Sequence, residues 1–132
     1  MKHIREYEVK GVRASAPYAR TLKHLIAPWT VPGERMSVTM AKVDLGSRSN
    51  PHSHAEQEEM FFVISGRGWI EVGEERERVE AGSVVLVPPG VTHSLVNEAD
   101  ETFKVLSVVS PPFDKDDFAK QHLLADTADG KG

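Results

Sequence analysis

The chain contains no cysteine. Disulfide frameworks, thiolate zinc sites and cysteine nucleophiles are excluded together. Long hydrophobic runs are missing too. Met60 to Ile64, five residues, is the longest, against the roughly 20 apolar residues that span a bilayer. Basic charge is in deficit, with 16 Lys and Arg against 20 Asp and Glu and a net charge of −4. A nucleic-acid protein needs clustered Lys and Arg, so that class is excluded, and a membrane role with it. Met1 to Lys10 alternates charged with apolar residues and has no apolar signal core. A cytoplasmic location is therefore expected. The sequence shows no internal repeat and no low-complexity segment.

What is present fits one globular domain. The 132 residues are 39% hydrophobic and 27% charged, an ordinary balance for a folded chain too short for two cores. Sixteen valines against eight leucines and four isoleucines favour strands over helices. Arg35 to Val43 reads as a strand with Met36, Val38 and Met40 on one face, a stripe expected in the core. Met60 to Ile64 reads as a short buried strand. Trp69 to Val72 and Arg76 to Val79 flank Gly73-Glu74-Glu75 as a hairpin, with Glu74 to Glu80 a solvated face. Ser83 to Val87 stops at Pro88-Pro89-Gly90, and His93 to Val96 and Phe103 to Val109 add two strands. Tyr18 to Pro28 fits either a strand or one helical turn. Asp114 fits the cap of a short helix to Leu124, and residues 126–132 read as a frayed tail. Many short strands at close spacing predict a sandwich or barrel.

The histidines carry the chemical signal. His52 and His54 flank Ser53, and residues i and i+2 of a strand point to one face. Glu59 follows five residues after His54. An extended chain would place it roughly 17 Å away, so residues 55–58 must turn if it is to join the histidines. His93 comes 34 residues after Glu59, just past Pro89-Gly90. Imidazoles with a carboxylate recur as ligands of divalent transition metals. Taken alone, a His-x-His pair also occurs on solvated strand edges, and Glu56, Glu58 and Glu59 read as a solvated charge run.

The spacing across the whole segment adds a resemblance. Gly46-x5-His52-x-His54-x4-Glu59-x6-Gly66 resembles the first motif of the cupin superfamily, and Gly82-x5-Pro88-x-Gly90-x2-His93-x3-Asn97 resembles the second. All ten fixed positions are occupied, where each would match by chance about once in twenty. The motifs span Gly46 to Asn97, and the spacer Arg67 to Ala81 resembles that of compact single-domain microbial cupins. The resemblance implies an all-β fold: a cupin-type double-stranded β-helix, or jelly-roll barrel, with a short C-terminal helix possible. It implies one domain over residues 1–125 with a core over 35–112. It also implies that His52, His54, Glu59 and His93 hold one divalent transition metal ion per chain (Mn, Fe, Ni, Cu or Zn). The six-residue gap to Gly66 selects Glu59; the opposite strand parity would make Glu58 the ligand. Gly66 and Gly82 fit turns that need positive φ, Pro89-Gly90 fits a type II turn, and Asn97 fits a turn fixed by side-chain bonds to backbone.

Other candidates are weaker. Phe61, Val63 and Trp69 fit a substrate pocket or, more simply, barrel core. Arg48 and Arg67 fit an anionic substrate or an ordinary surface. His24 fits the surface better than the barrel mouth, and His3 and His122 carry no signal. Cupin folds host many reactions, so fold alone does not choose one. The expected function is a metal-dependent enzyme acting on a small polar metabolite, of dioxygenase, isomerase, lyase or decarboxylase type. The alternative is a non-catalytic small-molecule-binding or sensor cupin. Small cupins of this kind commonly pair, and the apolar Thr21 to Trp29 (Leu22, Leu25, Ile26, Trp29) would cover a neighbour's edge in a homodimer.

Overall fold

In the computed structural model, residues 1–114 are described. The C-terminal helix expected to run to Leu124 and the tail expected over 126–132 lie outside them. Nine strands follow a short 3-10 turn at Glu6–Glu8: β1 (Val12–Ala14), β2 (Arg20–Ile26), β3 (Ser37–Val43), β4 (Glu58–Ser65), β5 (Arg67–Val72), β6 (Glu75–Glu80), β7 (Val84–Val87), β8 (His93–Val96) and β9 (Phe103–Ser110). A six-stranded sheet has the order β1-β2-β3-β9-β4-β7, and a three-stranded sheet the order β6-β5-β8. Pairing is antiparallel throughout the named strands. Apart from that 3-10 turn the described residues are all-β, with the fold of a cupin double-stranded β-helix. Of the two readings of Tyr18 to Pro28, the strand is the one that forms.

The core lies between the sheets. Valine and phenylalanine at every second position of β4 and β9 (Phe61 and Val63; Phe103, Val105 and Val109) point inward with Leu22, Val43, Ile70 and Leu95. Alternation with period two places one row inside and the next outside. Two expectations about which row goes in are corrected. On β3, the inward row is Ser37, Thr39, Ala41 and Val43, and the stripe Met36, Val38 and Met40 lies on the other face, where Met40 is buried as expected but Val38 is half-buried and Met36 exposed. Both rows of β3 are apolar enough to be buried, and the polar members of the inward one are satisfied. Thr39 Oγ1 lies 3.4 Å from His24 Nδ1, and Ser37 Oγ accepts a bond from Phe113 N at 3.1 Å. Met60 to Ile64 is half-buried rather than buried: Phe61 and Val63 face the core, while Phe62 and Ile64 are exposed.

Turn chemistry agrees with the sequence. Gly66 has φ +81, and a Cβ there would collide with the carbonyl oxygen of Thr102. Only glycine combines that dihedral with that approach. Gly90 has φ +80, and Val91 N closes the turn on Pro88 O at 3.4 Å, as a type II turn requires. Asn97 is wholly buried; its Nδ2 donates to the carbonyls of Val43 (3.0 Å), Asp44 (3.2 Å) and Glu101 (2.9 Å). It thereby ties the loop after β3 to the loop before β9.

Candidate metal centre

Backbone pairing puts two of the four candidate ligands side by side. The segment before β4 runs antiparallel to β8, with Arg48 opposite Val96 and His52 opposite His93. The two histidines exchange backbone bonds, His52 N to His93 O at 3.2 Å and His93 N to His52 O at 2.9 Å. Their rings consequently lie 4.5 Å apart. The chain turns through residues 55–57 and enters β4, whose inward row begins at Glu59. Gly90 N, in the turn before β8, donates to His54 O at 2.7 Å. One peptide bond of the second motif thus holds a histidine of the first.

The four side chains converge. One donor atom from each of His52, His54, Glu59 and His93 lies within 4.8 Å of the others. Glu58, next in the chain, is exposed, as strand parity demands. His52 Nδ1 sits 2.8 Å from Asn50 O, and His93 Nδ1 sits 2.9 Å from Val91 O. A carbonyl only accepts, so both rings carry hydrogen on Nδ1 and turn Nε2 inward as a lone-pair donor. Such outer bonds fix the tautomer and aim of a ligating imidazole. Glu59 Oε1 lies 3.2 Å from His54 Nε2 and 2.9 Å from His93 Nε2, while Ser107 Oγ donates to Oε2 at 2.5 Å.

Lone pairs of one carboxylate and several imidazoles facing a single buried point repel unless a proton or a cation lies among them. The electrostatics agree. Burial and the charge of His93 push His52 down to about 4, so its ring is neutral at physiological pH. Burial alone would raise Glu59, but hydrogen bonds from His54, His93 and Ser107 outweigh it and hold the carboxyl well below its usual range. Burial likewise opposes the charged form of His93, and the hydrogen bond to Glu59 overcomes it and raises His93. An oriented, nitrogen-rich donor set with one ionised carboxylate fits a divalent transition ion that displaces the proton of His93.

The other candidates are placed elsewhere. Phe61 and Val63 are core, and Phe61 also lines the cavity beside the cluster. Trp69 lies on the outer face of its sheet, with Arg76 and Arg78 over its ring at 4.2 and 4.8 Å, and lines a separate open pocket there with Arg67, Arg78 and Glu98, away from the metal cluster. Arg48 pairs with Glu71 at 2.6 Å and Ser94 Oγ at 2.7 Å; Arg67 reaches Asp100 at 3.7 Å; neither lines the cavity. His24 is not on the surface. It is 5% exposed, facing inward against Thr39 and Trp29.

Sequence reasoning missed Arg20, Asn50 and Ser107. Arg20 is 1% exposed and donates to Tyr18 O and Asn50 Oδ1, each at 2.9 Å. The only signal for it was an arginine at period two with Leu22 and His24. Ser107 is the polar member of the inward row Phe103, Val105, Val109.

A β-helical barrel with a buried cluster of three imidazoles and a carboxylate defines a class, and the sequence comparison agrees. The family described as Cupin domain matches residues 39–109, more than half the chain, and the protein belongs to that family. An uncharacterised protein of Streptomyces coelicolor is 46% identical over 77 residues, which cover 58% of this chain and 71% of the relative. A Thermotoga maritima structure described as a predicted oxalate decarboxylase superposes with TM-score 0.75 at 20% identity, covering 83% of this chain and 98% of the other. The polyketide cyclase RemF of Streptomyces resistomycificus gives 0.71 at 23% identity, covering 90% and 91%. At those identities the two structures speak for the fold alone. Among the described residues no helix is long and apolar enough to cross a membrane.

Proposed function

We propose that the protein is a metal-dependent cupin enzyme acting on a small polar metabolite, with His52, His54, Glu59 and His93 holding one divalent transition ion. The observation that carries this is the convergence of inward Nε2 atoms on Glu59 Oε1 at a point sealed from solvent. Mn, Fe, Ni, Cu and Zn all suit the donor set. When bound, the ion supplies Lewis acidity or oxygen activation at positions the protein leaves open. The chain's own residues orient and insulate. Asn50 O and Val91 O aim two rings, Ser107 holds Glu59, and Phe113 packs against His54 with ring centroids 4.7 Å apart and planes tilted by 58°. Glu59 accepts from Ser107 and faces the imidazoles, so its work is to hold the ion rather than to move protons.

Similar folds described as a predicted oxalate decarboxylase and a polyketide cyclase are the reason to include small acids and keto acids among the compounds tested. The test is turnover. Protein loaded in turn with Fe, Mn, Ni, Cu and Zn is incubated with keto acids, catechols and sugars, following product and oxygen uptake. Conversion by at least one metal form, lost on chelation, is expected. Tight binding without conversion across the panel would instead establish the non-catalytic sensor reading. A cytoplasmic, homodimeric protein remains part of the proposal, but with a different contact from the one the sequence suggested. Leu22 lies in the chain's own core and Trp29 packs against it. Val84 and Leu86 are 63% and 59% exposed on β7, the last strand of its sheet.

A further inference from the structure

The candidate ligand atoms are closed off from solution. Nε2 of His52, His54 and His93 and Oε1 of Glu59 all lie out of reach of solvent. The cavity beside them measures about 30 Å³, room for roughly two waters. Keto acids, catechols and sugars are all larger than that. Part of the wall must therefore move before a substrate can enter.

The construction of the wall points to the part that moves. Most of it comes from β2, β3, β4, β8 and β9, including the hydroxyls of Thr39 and Ser107, and strand pairing fixes the backbone there. The lining residues outside the strands are Ser49, His52 and Phe113. Two of these are stitched to β8. Ser49 N bonds Leu95 O and Leu95 N bonds Ser49 Oγ, both at 2.8 Å, and His52 exchanges backbone bonds with His93. Phe113 instead follows the end of β9 at Ser110, and its N–H donates to Ser37 Oγ at 3.1 Å. Swinging Phe113 outward breaks no strand pairing, and it uncovers His54, against which the ring packs. The ring also belongs to the apolar core at 5% exposure, so burial keeps the closed arrangement dominant. Local openings past the end of a strand cost much less than global unfolding.

Resting on the metal-dependent reading, we propose that Phe113 is the gate of the cavity: its ring is the part of the wall that swings aside to admit metal and substrate, and the Ser37 hydroxyl is the latch that returns it. Closure excludes water from the site between turnovers.

The test reads opening with and without metal. In metal-free protein at neutral pH, diethyl pyrocarbonate, which modifies unprotonated imidazole, is followed by mass spectrometry at His54. Exposed His3 and buried His24 serve as controls. In the wild type His54 should react far more slowly than His3. Phe113→Ala, which removes the ring, and Ser37→Ala, which keeps the ring and removes the latch, should each speed His54 by about 10-fold or more. His3 and His24 should react as before. With Co(II), uptake and chelator-driven removal should both quicken in the two variants by a similar factor, so affinity shifts by less than about threefold. Imidazole, too large for the closed cavity, should reach the bound Co(II) faster in both, read from its visible spectrum.

If Phe113→Ala does not fold, Ser37→Ala decides. His54 reacting alike in wild type and variants would overturn the gate. Equal acceleration at His24 would do the same, because it means general loosening of the barrel. An affinity loss carried by faster removal alone, with uptake unchanged, would make Phe113 a prop for His54 and also overturn it. A wild type that takes up no Co(II) would overturn the metal reading instead, and the reactivity of His54 in metal-free protein would still decide for or against the gate.

Discussion

His93 Nε2 and Glu59 Oε1 lie 2.9 Å apart, in side chains that contribute almost nothing to the surface. With Nδ1 donating to Val91 O, this contact is a hydrogen bond only when His93 carries a second proton. A proton on His93 Nε2 would occupy the place where the proposal puts an ion, and the two compete.

Metal affinity should consequently fall with pH, and His93 should set where. Its pKa is raised, so it takes up its proton first as pH drops, whereas His52 stays neutral until about 4. One displaced proton gives about a tenfold loss of affinity per pH unit. The stability sign is fixed as well. A raised histidine stabilises the metal-free fold fully below its unfolded value of 6.5, and that contribution disappears as pH rises through the folded value. The melting gap between loaded and metal-free protein should widen from pH 6 to pH 8. Chelator competition that is flat from pH 7.5 to pH 5 would count against His93 as a ligand.

Glu58 and Glu59 form an internal control. Both are glutamates on β4, one exposed and one buried against the histidines. Glu59→Gln, His52→Ala, His54→Ala and His93→Ala should each lower metal occupancy in dilute chelator, by roughly 10-fold or more. Glu58→Gln makes the same charge change on the other face and should leave occupancy as in the wild type. Without metal the barrel core still folds, so circular dichroism should be retained in all five. Equal behaviour of the two glutamine variants, measured by elemental analysis after dialysis, would refute the assignment.

The barrel and the cluster were legible because motif spacing encodes them directly. Gly66 and Gly90 must be glycine for φ, and His52, His54 and Glu59 are tied by short loops. What was not legible depends on which strand face turns inward. β3 carries apolar side chains on both rows, so hydrophobicity could not choose between Val38–Met40 and Ala41–Val43. Trp69 looks like core in a sequence, yet its register opposite Arg78 puts it outside. Arg20 is set by its pairing with Val43 and by a bond to a loop 30 residues away, neither of which leaves a local trace.

Glu6 predicts a separate pH effect, remote from the metal centre. Its carboxylate bonds Lys23 Nζ at 2.5 Å and Lys104 Nζ at 3.2 Å, pinning the N-terminal turn to β2 and β9. The two lysines hold its pKa down to about 2, against a modest opposing effect of burial. A depressed carboxyl stabilises fully above its unfolded value of 4.5 and loses that contribution as pH falls towards 2. Glu6→Gln should cost about 1 kcal/mol at pH 7, since all three side chains are partly solvated. The cost should shrink steadily from pH 4.5 downward. A difference in urea midpoints that persists unchanged at pH 2.5 would show that the triad contributes through packing rather than charge.

The assembly prediction rests on β4 and β7. Phe62 pairs with Val84 and Met60 with Leu86, so the exposed side chains of the two strands form one apolar patch. Among the described residues β7 bonds β4 on one side only, with its other edge at the border of the patch. Exposed edges beside apolar surface are usually covered, and a second copy of the chain offers an identical patch that can close with two-fold symmetry. Light scattering should give about twice the chain mass of 14.6 kDa. Leu86→Glu would bring two like charges together across the two-fold axis and should shift the population to monomer at micromolar concentration. Its far-ultraviolet dichroism should be unchanged, because Leu86 points away from the core. A wild type that is monomeric at those concentrations would rule out this contact, and a Leu86→Glu variant that stays dimeric would move the interface off β7.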